Sequence, residues 1–145
     1  GEWRTVNVPV PERTGDEGYL AAHREVLRPA AEQFEPELLV LSAGYDAHWK
    51  DPIGGLHLTV DGFARCVSEI ADWADTWCDG RLVTTLEGGY HTDALAAAVR
   101  ATFERLRDPQ AAVEDPFGGP SEPDRPIDDL LRDVRALHGW VEGSA

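Results

Sequence analysis

No methionine occurs anywhere in the 145 residues. A complete translation product begins with one, so the sequence is expected to be processed or to be a piece of a longer chain. Cysteine is nearly absent too. Cys66 and Cys78 are too few for a disulfide framework, and one mid-helix and one near a helix end suit buried free thiols better than a metal pair. Lysine is reduced to Lys50, and 13 basic residues face 27 acidic ones, a formal net charge of −14. Phosphate binding needs clustered Lys and Arg, so the balance argues against a nucleic-acid partner. An acidic surface could attract cations such as polyamines or basic protein tails, but solubility is the plainer and favoured reading. No apolar run approaches the roughly 18 residues that a membrane helix needs. Gly1-Glu2-Trp3-Arg4 has neither the basic nor the apolar part of a signal peptide.

What is there suits a globular protein of about one domain: 42% hydrophobic and 28% charged residues. Thr5–Val10 alternates and predicts a short extended segment, with Pro9 marking an edge or an end. Thr14-Gly15-Asp16-Glu17 predicts a helix start and a helix to about Phe34, with Leu20, Leu27, Ala31 and Phe34 on one face and Pro29 splitting it. Leu38-Leu39-Val40-Leu41 is short and continuously apolar, as a buried parallel strand is. A loop follows over 42–58. Thr59 then caps a helix whose stripe is Phe63, Val67, Ile70, Ala74 and Trp77. Leu82–Leu86 is a second strand, and after the turn Glu87-Gly88-Gly89-Tyr90 a third helix turns Leu95, Val99, Thr102, Phe103 and Leu106 inward. Strand, helix, strand predicts an α/β protein with adjacent parallel strands joined by crossover helices. The stretch 108–126 is rich in Pro and Gly and suits a linker or surface-running segment. Ile127, Leu130, Leu131, Val134, Leu137 and Val141 then make an amphipathic helix over 127–142, docked on its own domain or serving an oligomer contact.

Ligands of open α/β sheets bind beyond the carboxyl ends of the strands, and two polar, glycine-flanked clusters lie at such ends. One is Ser42-Ala43-Gly44-Tyr45-Asp46-Ala47-His48 with Asp51-Pro52-Ile53-Gly54-Gly55. The other is Leu86-Glu87-Gly88-Gly89-Tyr90. Either alone is equally a plain turn with a backbone-capping acid. Together, with Val6-Asn7-Val8-Pro9, Gly15-Asp16-Glu17-Gly18-Tyr19, Pro36-Glu37-Leu38, Leu58-Thr59 and Gly62-Phe63, they resemble the C-terminal part of the histone deacetylase and acetylpolyamine amidohydrolase superfamily. The wording is closest to the class II-like bacterial branch. The resemblance covers about 5–107, so 1–107 is assigned to the deacetylase-like domain.

The resemblance implies a three-layer α/β/α fold with a mainly parallel sheet, the arginase/deacetylase fold, of which this chain supplies the C-terminal part. It implies zinc-dependent hydrolysis of acetyl-lysine or acetylated amines, with Asp46 as one of three protein ligands to Zn²⁺ and Tyr90 as the hydroxyl that meets the developing oxyanion. Gly88 and Gly89 give the turn its freedom beside the substrate. Ile53 corresponds to a residue lining the acyl-lysine channel, although its chemistry equally suits core packing. Potassium near Val6-Asn7 and a cytoplasmic location are also implied. The superfamily's His-His pair and its Asp-x-His ligand motif are not found. Asp46-Ala47-His48 has the latter spelling, but on the wrong strand. The chain alone is therefore expected to be inactive and to need a complementing N-terminal half; the competing reading is a non-catalytic module built on the same scaffold. Asp51 is expected to shape the loop that carries Asp46. His23 is expected to face solvent, and His48 to lie behind the ligand or on the loop surface.

Overall fold

Two parallel strands form the centre of the chain, which is known from a computed structural model that describes residues 5–140. Strand β1 (Leu39–Ala43) pairs with β2 (Leu82–Leu86) in parallel, with Leu39 opposite Leu82 and Ala43 opposite Leu86. The crossover between them is α3 (Val60–Trp77), and β2 leads into α4 (Thr92–Arg107). This is the βαβ unit expected from the alternation of strand and helix. The Thr59 hydroxyl accepts from the Gly62 amide at 3.0 Å, so α3 begins at the expected cap.

Helices α3 and α4 pack against one another and cover one face of the strands. On α3 the buried side chains include Phe63, Val67 and Ala74 of the expected stripe. On α4 the packing surface is Ala94, Ala98, Ala101 and Thr102, with Leu95 and Val99 half-buried, while Phe103 is 63% exposed. Small residues let the two backbones approach closely, and this places alanine at the contact rather than the large Phe103. Tyr45, Ala47, Leu58, Phe63 and Ala98 form the core cluster directly beneath the strand ends.

The N-terminal segment departs from a simple split helix. α1 (Asp16–Ala22) runs into one π-helical turn, His23–Leu27, and then α2 (Arg28–Phe34). Pro29 lacks an N–H and its ring crowds the carbonyl four residues earlier. A wider turn just ahead relieves this: the Arg28 amide bonds to the His23 carbonyl, five residues back. The wider turn also rotates the helix beyond it. Leu20 stays buried, but His23 and Val26 take the inward positions and Phe34 ends 64% exposed. Residues 5–10 join no sheet, yet the alternation still places Val6, Val8 and Val10 against the cluster of Ala22, Val26, Ile127, Leu131 and Val134.

That cluster also seats α5 (Asp128–Leu137), which lies on the π turn of its own chain. α5 stops at Leu137, short of the expected 142, because Gly139 adopts a left-handed φ of 75° that turns the chain. Val141 lies outside the described residues. Pro126 directly precedes the helix cap, Ile127. The stretch 108–126 runs over the surface and is tied down along its length. The Asp115 carboxylate accepts from the Val60 amide at 3.0 Å, the Gly118 carbonyl from the Trp49 indole at 2.9 Å, and Asp124 lies 3.1 Å from the His57 ring. Among the described residues no helix is long and apolar enough to cross a membrane.

Candidate active site

The two strands end side by side, and their ladder continues into the loops: the Glu87 amide donates to the Ala43 carbonyl at 3.0 Å and the Tyr45 amide to the Gly88 carbonyl at 2.9 Å. The two motif loops therefore leave the sheet as neighbours. Between them opens a polar cleft of about 440 Å³ lined by Ser42, Gly44, Asp46, Glu87, Gly88 and Tyr90. Asp46 sits in the short 3₁₀ turn Tyr45–Ala47 that follows β1.

Asp46 is held by its surroundings rather than by hydrogen bonds to its side chain. A side chain at Gly88 would meet the Asp46 carboxylate at 2.5 Å, and one at Gly44 would meet it at 2.8 Å, so these glycines leave the space the carboxylate occupies. Behind it, a Cβ at Gly54 would lie 1.6 Å from the Asp46 carbonyl oxygen, so only glycine fits there. Below, the buried Tyr45 donates its hydroxyl to Thr102 Oγ1 at 3.0 Å and packs on Phe63, fixing the turn to α3 and α4. No described residue donates a hydrogen bond to the Asp46 carboxylate or pairs with it. A half-buried carboxylate with unfilled lone pairs in a glycine cradle has the chemistry of one metal-ion ligand. It is one ligand only: among the described residues no three of His, Cys, Asp and Glu gather in a way that could hold a metal ion.

Tyr90 stands opposite on the second loop, 57% exposed. Gly89 takes a φ of 136°, and a side chain there would also strike Leu95 and Tyr45. Both glycines singled out from the sequence thus have separate duties, Gly88 giving room to Asp46 and Gly89 turning the chain. Asp51 tightens the arrangement. Its Oδ1 accepts from the Ile53 and Gly54 amides at 2.9 and 3.3 Å, and its Oδ2 from the Tyr90 and His91 amides at 2.7 and 3.2 Å. Desolvation opposes its ionisation, but these four backbone donors outweigh it and hold the carboxyl below the usual carboxylate range. Ile53 is 68% exposed at the tip of the same loop, outside the core and not among the residues lining the cleft.

The histidines lie differently from the sequence expectation. His48 is buried at 1% exposure, its Nδ1 accepting from the Lys50 amide and its ring against Phe63 and Phe117, so it is neither a surface loop residue nor a cleft residue. His23 is buried between Tyr19 and Trp73, not in solvent, because it lies three residues after the buried Leu20 on the inward face of α1. Burial holds its pKa down at about 4. His91 caps α4, accepting from the Ala94 amide. Cys66 and Cys78 are free and buried as expected; burial pushes the Cys66 thiol up to about 12, which makes it inert, and the Cys78 thiol donates to the Pro36 carbonyl. Val6 packs towards α5, in a different cluster from the one beneath the cleft.

Two polar clusters beyond the carboxyl ends of adjacent parallel strands stand where open α/β sheets bind ligands. The comparisons make the class specific. Residues 1–106 match the model of the histone deacetylase domain, and the chain belongs to that family. It is 39% identical to the chloroplastic histone deacetylase 10 of Oryza sativa subsp. japonica over 95% of this chain and 32% of the rice protein. It is also 39% identical to a probable deacetylase of Archaeoglobus fulgidus over 76% of this chain and 33% of that one. The histone deacetylase-like amidohydrolase of Pseudomonas aeruginosa is 33% identical over 81% of this chain and 31% of its own length. The solved HD domain of HDA15 superposes with a TM-score of 0.73 at 28% identity, over 92% of this chain and 35% of that one. The histone deacetylase Clr3 superposes with a TM-score of 0.77 at 25% identity, over 97% and 23%. The fold is therefore the α/β arginase/deacetylase fold, and the chain spans about a third of the length of the curated relatives it matches.

Proposed function

We propose that this chain carries one side of the active site of a zinc-dependent deacetylase acting on acetyl-lysine or acetylated amines, and that it needs further protein residues to complete the metal site. One observation carries the reading: the Asp46 carboxylate has no described donor, lies in a glycine cradle and shares a single cleft with Tyr90. Asp46 is the residue of this chain that would hold zinc, and zinc when bound supplies a Lewis acid and a water acidified to about pKa 7. The remaining work falls to the chain itself. Tyr90 donates its hydroxyl to the acetyl carbonyl oxygen and strengthens that bond as negative charge grows there. Gly44, Gly54 and Gly88 keep the Asp46 carboxylate facing the cleft, and the acidic lining with Glu87 favours a substrate that carries positive charge away from its acetylated amine. The alternative, a non-catalytic module, rests on the lack of a three-ligand group among the described residues.

The test is a chimera in which this chain replaces the third of the Archaeoglobus fulgidus deacetylase that it matches. The chimera is expected to bind zinc and hydrolyse an acetyl-lysine peptide, while the 145-residue chain alone with added zinc does neither. Asp46→Ala should lose the metal. Tyr90→Phe should keep the metal and lose about 100- to 1,000-fold in kcat, the usual cost of one oxyanion donor. An inactive chimera favours the module. A Tyr90→Phe chimera with an intact rate overturns the oxyanion role, and robust turnover by the chain alone overturns the need for outside ligands.

A further inference from the structure

Asp51 makes more contacts than a loop-shaping acid requires. A local turn needs only one of its oxygens: Oδ1, accepting from the Ile53 and Gly54 amides two and three residues on, is enough to close the loop. The second oxygen reaches across 39 and 40 residues of sequence to the amides of Tyr90 and His91, on the turn between β2 and α4. One carboxylate thus binds both loops of the cleft. On one side it holds Tyr90 by its own backbone nitrogen. On the other it holds Gly54, whose α-carbon rests against the Asp46 carbonyl.

We propose that Asp51 is a positioning residue for the deacetylase reaction, setting Tyr90 in register with Asp46 by clamping their two loops together. The inference rests on the deacetylase reading for its catalytic consequence, though not for the clamp itself. The clamp suits its task for three reasons. Hydrogen bonds from N–H groups to an ionised carboxylate are about twice as strong as neutral ones. Tyr90 is otherwise poorly supported, with its side chain 57% exposed and a φ of 136° just before it at Gly89. Finally, a misplacement of about 1 Å at a reacting group costs roughly 100-fold in rate. Asp51 does not line the cleft and touches no reacting atom, so it acts only through the groups it holds.

The experiment has two arms. In the 145-residue chain, amide hydrogen exchange is measured in the wild type, in Asp51→Asn, which keeps one acceptor oxygen, and in Asp51→Ala, which keeps none. Exchange at Tyr90 and His91 is expected to rise about tenfold or more in Asp51→Asn, and exchange at Ile53 and Gly54 to rise as well in Asp51→Ala, with the α3 and α4 amides unchanged. Unchanged exchange at Tyr90 and His91, or a collapse of α3 and α4 in both variants, overturns the clamp. In the chimera, Asp51→Asn is expected to lower kcat about tenfold with KM and zinc content unchanged. The double variant with Tyr90→Phe should be no slower than Tyr90→Phe alone, since both changes remove the same donor. Additive losses, or loss of zinc, overturn positioning through Tyr90. If the wild-type chimera has no activity, it is the deacetylase reading that fails, and the exchange arm alone decides the clamp.

Discussion

The two faces of the β1–β2 pair have opposite surroundings, and both carry apolar side chains. On one face Leu39, Leu41, Leu82 and Thr84 lie half-buried towards α3 and α4. On the other, the pairs Val40–Val83 and Ser42–Thr85 are exposed, the two valines at 64% and 51%. Strands with one wet face alternate apolar and polar residues, whereas parallel strands covered on both faces are apolar throughout. Leu38-Leu39-Val40-Leu41 is of the second kind, in surroundings of the first. The first residues of each strand, Leu39-Val40 and Leu82-Val83, are thus apolar on both faces, in a chain whose described helices cover one of them. That fits a chain spanning a third of its relatives. The buried clusters gather among the helices and loops, with Ala43 of β1 at the edge of one of them, and Val40 and Val83 lie outside them.

The covered side should carry the large mutational effects. Leu58, 1% exposed in the cluster beneath the cleft, is the sharpest point to probe. Leu58→Ala is expected to cost about 2–5 kcal/mol in denaturant unfolding, for the lost transfer energy and the cavity left behind. A cost below about 0.5 kcal/mol, the range of ordinary surface changes, would mean that the covered face is not the stabilising one.

His23 gives the covered side a pH dependence. Burial, and to a lesser degree the neighbouring Arg24, lower its pKa from 6.5 to about 4. The nearest carboxylate oxygen, Glu69 Oε2, stands 3.8 Å away, while the other oxygen of Glu69 is engaged by Arg24. In the unfolded chain His23 takes up a proton near pH 6.5, and in the folded chain only near 4. The unfolded state therefore binds more protons between these values. Stability is fully present above 6.5, falls as the pH drops through the window, and is lost below about 4, by up to about 3 kcal/mol. His23→Phe keeps a ring between Tyr19 and Trp73 and removes the titration, so unfolding measured from about pH 7 to about 4.5 should show a shallower slope. An identical slope would place the acid sensitivity elsewhere.

Much of this arrangement is legible in local sequence. Strand–helix–strand order, the Thr59 cap, the inert cysteines and the juxtaposition of the Asp46 and Gly88-Gly89-Tyr90 loops follow from periodicity, capping chemistry and the rule that parallel strands end on the same side. The illegible part depends on contacts distant in sequence. Asp51 is near in sequence to the loop it closes, and its link to Tyr90 exists only once β1 and β2 pair. The π turn depends on how the helix accommodates Pro29, and His23 becomes a core residue, although its neighbours are charged, only once Trp73 of α3 packs on it. Phe103 has the hydrophobicity of a core residue and the right spacing, but alanine wins the contact because α3 and α4 approach closely. His48 is buried partly by Phe117, which comes from a stretch that composition alone marks as a linker.

The smallest effect on stability is expected where the comparison is most exposed to failure. Val40→Thr and Val83→Thr keep the β-branched shape that suits a strand, and each places a hydroxyl where water can reach it. Each should change unfolding free energy by less than about 0.5 kcal/mol. The same substitution at Val60, 0% exposed on α3, buries an extra hydroxyl and is expected to cost about 1–3 kcal/mol. Self-association should move the other way. Two paired exposed valines on a sheet face whose strand edges are open among the described residues favour contact between copies, so sedimentation of the double variant should show less association than the wild type, and Val60→Thr should leave association unchanged wherever the chain is still folded. If Val40→Thr costs as much as Val60→Thr, then Val40 is covered in solution, and the bare face is already an internal one.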